Sequence, residues 1–421
     1  MIASVYRPER QREASNIPVQ TQRKSLHYLP IGNQLSYGDI CLNERVATSE
    51  KLNRFIDYDP NALQITVEPG VTFKNLLELD NKIIPPVIPG TLHATLAGGV
   101  ANDIHGKNQT KQGCFGHHIN WLELALPNGC ITVSPTLNSD LFYATIGGLG
   151  LTGYIRKINL NLQKNTHTIK VRKQYFVNIN QGIRKLTAQV ESNDYSAAWF
   201  DLYRNGRGVI FQGAHTLGAS NPPSKHTLTF PFTFPFSCIN KLTMKHFNNL
   251  YYRATMKKPT RDKQTLITFN NPLDNVKNWN RLYGKKGLFQ FQCVIPTEHA
   301  TDFSKILLDV IQKFSASPSL AVMKNFGQTG LGLLSFAKPG ITFAIDFPST
   351  TNNRNCIEYL NQLLLDFDGR VYLAKDQLLT TEQFQKMYPN YLQFIEILNK
   401  YEIYDSCQSQ LSRRLGIHNE I

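Results

Sequence analysis

PGTLHATLAGGVANDIHGKNQTKQGCFGHH, residues 89–118, is the stretch whose reading decides the fold. It gathers Gly90, Gly98, Gly99, Gly106, Gly113 and Gly116, the amides of Asn102 and Asn108, and His93, His105, His117 and His118. Such a run predicts irregular backbone rather than a helix interior or a regular strand, because each glycine there costs roughly 0.5–1 kcal/mol. In return the backbone can approach a ligand closely, and its free N–H groups can hold phosphates. The run is expected to cradle a large phosphate-bearing cofactor.

The flanks support a sheet-and-helix setting. Residues 65–82 (ITVEPGVTFKNLLELDNK) read as a strand, a turn at Pro69-Gly70 and an amphipathic helix. Residues 119–135 read as a hairpin around Pro127-Asn128-Gly129, and residues 139–162 as a helix, a glycine cluster (GGLGLTG, 147–153) and a strand. A further glycine-containing loop, GNQLSYGD (32–39), follows a short strand in an otherwise polar and charged first forty residues. Each cluster alone reads as a tight turn. Three within ~130 residues, all beside strands, point to one extended cofactor, and GGLGLTG lacks the strand–GxGxxG–helix order of a Rossmann site.

Beyond residue 165 the texture changes. Strand-like runs (196–203, 288–296, 341–348) alternate with helical ones (299–314, 356–367), which predicts an antiparallel sheet with helices on one face. The fold class expected is α+β with two domains: residues 1–165, to which 371–421 return, bind the cofactor, and 166–370 bind the substrate.

The 421 residues carry 45 Lys+Arg against 31 Asp+Glu, a formal net charge of +14. This balance favours anionic partners. No zinc-knuckle spacing, RNP-like aromatic strand pair or long basic run accompanies it, so nucleic acid is not expected, and no metal site is read. Seven scattered cysteines without a CxxC suit reduced thiols and a cytoplasmic setting. No apolar leader or span of ~18 apolar residues is present. The aromatic segment TLTFPFTFPFSC (227–238) reads equally as a buried loop or an apolar surface flap.

The ordered set PGVTFKNLLE, PVIPGT, GGVANDIHGKN, GCFGHHI and LFYATIGGLGLTGYI resembles the vanillyl-alcohol-oxidase/PCMH-type FAD-binding family. Within that family it is similar to the oxidases of polyprenyl-phosphoryl ribose. The likeness continues through YSAAWFDLY, LFQFQCVIP, VMKNFG, ITFAIDFP, GRVYLAKD and MYPNY. It implies an FAD-dependent oxidoreductase acting on a sugar hydroxyl, with non-covalent FAD because the 32–39 loop has no histidine. A sugar-phosphate or lipid-linked sugar would be the substrate, and an NAD(P)H-dependent short-chain reductase would complete an epimerisation. A quinone or oxygen would accept the electrons, and peripheral contact with the inner face of the membrane would follow from a lipid carrier. Carried over by position, Gly32, Asn33, Ser36, Tyr37, Gly38 and Asp39 form the pyrophosphate loop. Gly90, Thr95, Gly98, Asn102, Asp103, His105, Ile155 and Tyr372 line the flavin. Lys107, Trp199, Gln292, Lys324 and Phe326 line the substrate cavity, and Lys375 is the catalytic base.

The residues by themselves leave alternatives. Lys375 also reads as a surface lysine paired with Asp376, His105 as part of a polar cluster with Asp103 and Lys107, Trp199 as core, and Cys114 as a small buried residue. Lys107 and Lys324 read as point charges for a substrate phosphate. Competing functions are an aldonolactone or sugar-alcohol oxidase, a flavin-free binding protein, and a basic surface binder.

The sequence departs from the family pattern R-G-x-G-R-S-Y-G-D at Ile31, Gln34 and Leu35. It also departs at Ala344, Thr342 and Asn270, where the family has cysteine, asparagine and tyrosine. The family's cysteine is the thiol modified by covalent nitro-aromatic inhibitors. With Ala344 in its place, intact-mass measurement after incubation with such a compound and substrate is expected to show no adduct; a stoichiometric mass gain would refute this.

Overall fold

Strands drawn from residues 168 to 371 build the largest sheet. The computed structural model describes residues 4–188, 193–218, 228–259 and 261–418. Eight antiparallel strands run in the order Arg261–Thr265, Thr168–Phe176, Arg207–Thr216, Tyr195–Asp201, Ala321–Phe326, Gly340–Pro348, Leu288–Ile295 and Arg370–Val371. A period of two sends alternate side chains to opposite faces. One face carries Phe200, Met323, Phe343, Ile345, Phe291 and Cys293, all essentially inaccessible. Helices Ile179–Thr187, Thr297–Lys313 and Thr351–Leu363 lie on this face, and Phe303 packs 5.8 Å from Phe343. Each phenylalanine buried there contributes roughly 1.5–3 kcal/mol. The opposite face carries Trp199, Val322, Lys324, Thr342, Ala344 and Gln292, and it is the face that builds the site.

The N-terminal region folds around a five-stranded antiparallel sheet, ordered Phe55–Asp59, Gln64–Val67, Tyr154–Asn161, Ile119–Leu126 and Gly129–Val133. Beside it is a small parallel sheet of Ser4–Tyr6, Arg45–Thr48 and Leu29–Ile31. Helix Gln11–Arg23 packs on the strands Ile119–Leu126 and Tyr154–Asn161. The polar reading of the first forty residues gave no sign of this helix. Pro18 sits inside it and its sequence is mostly polar, so its order comes from tertiary contacts such as Gln11 to Glu68 (2.9 Å) rather than from intrinsic preference.

The glycine-rich run is more regular than expected. Leu96–Ala101 is a short helix containing Gly98 and Gly99, capped by Thr95, whose hydroxyl accepts from the Gly98 N–H at 3.1 Å. Glycine is needed there for close packing: a Cβ on Gly99 would press to 3.2 Å from the Phe73 and Phe115 rings. Gln109–Gln112 and Phe115–His118 form two further helical turns.

The C-terminal segment lies against the N-terminal region. Tyr28 exchanges backbone hydrogen bonds with Ser406 and Gln408. Arg414 donates to both oxygens of Asp39 (2.7 and 2.9 Å), to Asp376 (2.9 Å) and to the Leu379 carbonyl (2.6 Å). Two carboxylates and a carbonyl from distant parts of the chain therefore share one guanidinium. Arg414→Gln is expected to lower unfolding stability by about 2–3 kcal/mol, because it strands the buried Asp376 carboxylate. Denaturant unfolding of variant and parent checks this, and a difference under ~0.5 kcal/mol would count against the clamp.

Candidate active site

Register across the large sheet sets one row of the site. Gln292 pairs with Ala344, Ala344 with Val322, and Val322 with Trp199, so these four side chains stand side by side. The next row places Lys324 opposite Thr342. Above this face runs the glycine-rich stretch, delivering His105 between the two rows. Its ring lies 4.7 Å from Phe326, 5.6 Å from Tyr372 and 5.9 Å from Phe336. Nδ1 is 3.3 Å from Lys324 Nζ, and Nε2 is 3.0 Å from the terminal amide of Gln292. Burial, then the charges of Lys324 and Lys375, hold the imidazole pKa well below its ordinary value, so the ring is neutral. A neutral imidazole accepts at one ring nitrogen and donates at the other, so only one of the Gln292 amide nitrogen and Lys324 Nζ donates to it.

The expected cluster of His105 with Asp103 and Lys107 does not form. Asp103 turns away with a left-handed φ of 39° and accepts from Ser335 Oγ (2.6 Å), Gly116 N–H (2.9 Å) and Leu331 N–H (3.1 Å). Burial raises its pKa against those bonds. Lys107 instead donates to the Phe269 carbonyl at 2.7 Å and lies 4.8 Å from that ring's centroid. Adjacent Asn270, where the family has tyrosine, points back at the Ile88 and Pro89 carbonyls, and Asn271 donates to Pro89 at 2.8 Å. The segment after residue 265 thus clasps the chain just before Gly90.

Lys375 ends a short turn, Leu373–Lys375, and its ammonium sits 4.0 Å above the Tyr37 ring. The reading of Lys375 as a surface partner of Asp376 is corrected: Asp376 is buried and bonds Arg414 and the Leu378 and Leu379 N–H groups. Lys107, Lys324 and Lys375 are each half-buried. Burial, aided by the charge of Lys324, lowers Lys107 to about 7; burial lowers Lys324 to about 8. Burial and Lys324 lower Lys375 to about 8, while Asp346 opposes them. Asp346 itself, on the same sheet face and bonded to the Gln290 amide, is pushed up to about 6 by burial.

The 32–39 loop leaves strand Leu29–Ile31 and runs past Thr95. Asn33 donates to the His93 carbonyl (2.8 Å), and Tyr37 N–H donates to the Ala374 carbonyl (2.9 Å). Ser36 lies between them, and Asp39 is fixed by Arg414. Gly38 has φ 69°, and a Cβ would fall 2.2 Å from the Asp376 carbonyl, so no other residue fits. Gln34, at a family glycine position, takes φ 52°, so the loop keeps a left-handed residue without its glycine. Ile31 is buried in its strand and Leu35 is 43% exposed. Neither position offers a cation.

A large cofactor fits this arrangement on two observations. Asn102 spends its amide N–H on the Gly98 carbonyl (2.9 Å), leaving its buried Oδ1 without a partner, while its own carbonyl accepts from Tyr372 OH (3.0 Å). Gly90 faces open space where a Cβ would meet nothing within 4 Å. Ile155 sits opposite Leu124 inside the five-stranded sheet, away from the polar cluster. Trp199 is buried, edge-on to Tyr251 at 4.9 Å. Cys114 is buried, with its thiol pKa well above ordinary.

Sequence reasoning missed Asp346, Ser335 and Phe336. Asp346 was visible as an acid at an inward position of ITFAIDFP. Ser335 and Phe336 lie in a loop with no periodic signal. Ala344 stands beside Gln292 with no sulfur, and neighbouring Cys293 faces the helices in the core.

A family model described as FAD binding domain matches residues 2–134. Decaprenylphosphoryl-beta-D-ribose oxidase of Mycolicibacterium smegmatis is 34% identical over 412 residues, covering 91% of this chain and 87% of that protein. L-gulonolactone oxidase of Bos taurus is 25% identical over 52% of this chain and 49% of its own length. Cytokinin dehydrogenase 4 of Oryza sativa subsp. japonica is 31% identical over 27% of this chain and 22% of its own length. A likeness this extensive, laid over a site with room and an unpaired acceptor for the cofactor, means that the chain is an FAD-dependent oxidoreductase and belongs to the family of decaprenylphosphoryl-beta-D-ribose oxidase.

Proposed function

We propose that the protein oxidises the 2′-hydroxyl of a polyprenyl-phosphoryl ribose to the 2′-ketone, the first half of an epimerisation. The observation that carries this reading is three half-buried lysines within reach of one another's charge: Lys324 on the sheet face 3.3 Å from neutral His105, Lys375 over the Tyr37 ring, and Lys107 on the Phe269 carbonyl. Burial lowers the three ammonium groups to about 7–8, and an anion placed among them would restore their charge. A phosphoryl sugar supplies that anion. An uncharged lactone or sugar alcohol does not.

In this reading FAD, when bound, supplies the acceptor for the hydride that leaves the carbinol carbon. The loop Gly32–Asp39 holds the pyrophosphate through backbone N–H groups, and Gly90, Thr95, Gly98, Asn102, His105 and Tyr372 hold the flavin end, while Asp103 braces the stretch that carries them from Ser335, Gly116 and Leu331. Lys375 in its neutral form takes the hydroxyl proton. The cations of Lys324 and Lys107 meet the phosphate as point charges. Gln292 fixes His105 and orients the sugar, while Trp199 and Phe326 wall the cavity against water. Electrons then pass to a quinone or oxygen, and a separate NAD(P)H-dependent reductase returns the ketone to the epimeric alcohol. The domain division follows the same logic: residues 1–165 with 371–421 carry the cofactor, and 166–370 carry the substrate.

The purified protein is expected to absorb in the flavin bands and to release all its FAD on denaturation, with none left on the polypeptide. Anaerobic addition of a short-chain polyprenyl-phosphoryl ribose should bleach the bands, and a colourless protein would sink the reading. A base with a pKa of about 8 acts in its deprotonated form. The rate of bleaching should therefore rise with pH up to a plateau above about 8. Lys375→Met should lose about 10²–10⁴ in that rate while keeping the yellow colour, and Lys375→Arg should not recover it, since arginine stays protonated. Rescue by arginine would exclude the proton-acceptor role.

A further inference from the structure

We propose that helix Lys241–Lys257 and the aromatic segment before it form a docking surface for an anionic lipid bilayer, placed over the substrate end of the site. Between Asp201 and Asp262 the chain has no acidic residue and nine lysines or arginines. That span contains the segment read from sequence as either a buried loop or a surface flap. From Leu228 onward it is a flap, while Thr227 lies outside the described residues. Leu228, Phe232 and Phe236 are 58%, 61% and 70% exposed. The flap is nonetheless held in place. Leu228–Thr229 pairs with Val276–Lys277, Arg281 donates to the Phe230 carbonyl (2.9 Å), and Cys238 N–H donates to the Leu282 carbonyl (2.9 Å).

The flap leads directly into the helix, capped by Asn240, whose side-chain Oδ1 accepts from the Leu242 and Thr243 N–H groups. Only Met244, Asn248 and Thr255 of this helix are buried. Its outer arc carries Leu242, Phe247 and Leu250, each more than half exposed, interleaved with His246, Arg253 and Lys257. Basic residues among exposed Phe and Leu suit a helix lying in the interface plane, where apolar side chains enter the acyl boundary and ammonium groups stay at the headgroups. A soluble protein face would not leave this much contiguous apolar surface open. The charge commits the occupant: each lysine or arginine brought to an anionic surface strengthens partition by roughly fivefold.

The surface is continuous with the site. Phe247 stacks on Tyr251 (6.2 Å between centroids), Tyr251 meets Trp199 (4.9 Å), and Trp199 stands in the row Val322, Ala344, Gln292. Asn248 donates to Asp201 (3.1 Å), at the end of the Trp199 strand. A sugar on a lipid carrier could thus pass from the headgroup plane to the sheet face without its chain leaving the bilayer. That purpose rests on the substrate reading above, whereas vesicle binding does not depend on turnover.

The test is co-sedimentation of the FAD-loaded protein with vesicles of phosphatidylglycerol and phosphatidylcholine, against phosphatidylcholine alone. Binding to the anionic vesicles is expected to be at least ~10-fold tighter, and to weaken strongly between about 0.05 M and 0.5 M salt, where the Debye length falls to about 4 Å. Phe247→Ser with Leu250→Ser should weaken it a further ~10-fold or more, with melting temperature and flavin spectrum unchanged. Phe232→Ser with Phe236→Ser, on the flap, provides an independent second pair. Absence of binding at low salt, equal binding to both vesicle types, or binding indifferent to both variant pairs would each overturn the proposal. So would light scattering that shows a dimer broken by the same variants in a protein that ignores vesicles. Bleaching by a soluble substrate with no vesicle binding would leave the catalytic reading standing and remove this one.

Discussion

The pleat of the eight-stranded sheet is the constraint on which the rest depends. Because side chains alternate with a period of two, a single residue of slip in any central strand would exchange the helix-covered face for the site face. Phe343 would then point into the hollow and Ala344 into the helices. Register is held by the dense apolar face, where Phe200, Phe303 and Phe343 meet edge-on or tilted at 5.8–6.2 Å. The core therefore determines which residues face the cofactor. Gln292, Ala344, Val322 and Trp199 form a row because Phe291, Cys293, Phe343 and Met323 are buried on the other side.

Onto this face the fold places groups that disfavour one another's charged forms. His105 is held neutral partly by Lys324 and Lys375, and Lys107 is lowered by Lys324. Asp346 pulls the other way on Lys375, and burial has already raised it. Amines so buried hold protons weakly until an anion arrives, which is the property the proposed base and phosphate-binding roles draw on. The aromatic rings of Phe326, Phe336 and Tyr372 around His105 supply the low-polarity wall that keeps this competition strong.

Much of the fold was legible because it rests on local pattern: the hairpin at 119–133, the helix after Pro69-Gly70, and the strands 195–201, 288–295 and 340–348. What local pattern could not reveal was partnership across the chain. His105 has Asp103 and Lys107 as sequence neighbours, but its partners, Gln292 and Lys324, are 187 and 219 residues away. Asp103 likewise bonds Ser335, 232 residues on. Helix Gln11–Arg23 was hidden by Pro18 and its polar composition, and the helix through Gly98 and Gly99 by the rule that glycine breaks helices. In both cases packing overrides preference, through the sheet beneath the first helix and the rings of Phe73 and Phe115 against the second.

The 32–39 loop shows how a fold keeps a path after losing residues that define it. The family's arginines are replaced by Ile31 and Leu35, and its glycine by Gln34, which still adopts φ 52°. A non-glycine residue in that region carries strain of about 1 kcal/mol, so something else must hold the loop. Three contacts do: Asn33 to the His93 carbonyl, Tyr37 N–H to the Ala374 carbonyl, and Asp39 to Arg414. Two of these come from the C-terminal segment, which also carries Lys375. The loop and Lys375 are thus fixed to each other through residues 374–376 and 414. Loop position and lysine position are then one structural variable, and a loop without arginines can still present its backbone N–H groups where the cofactor needs them.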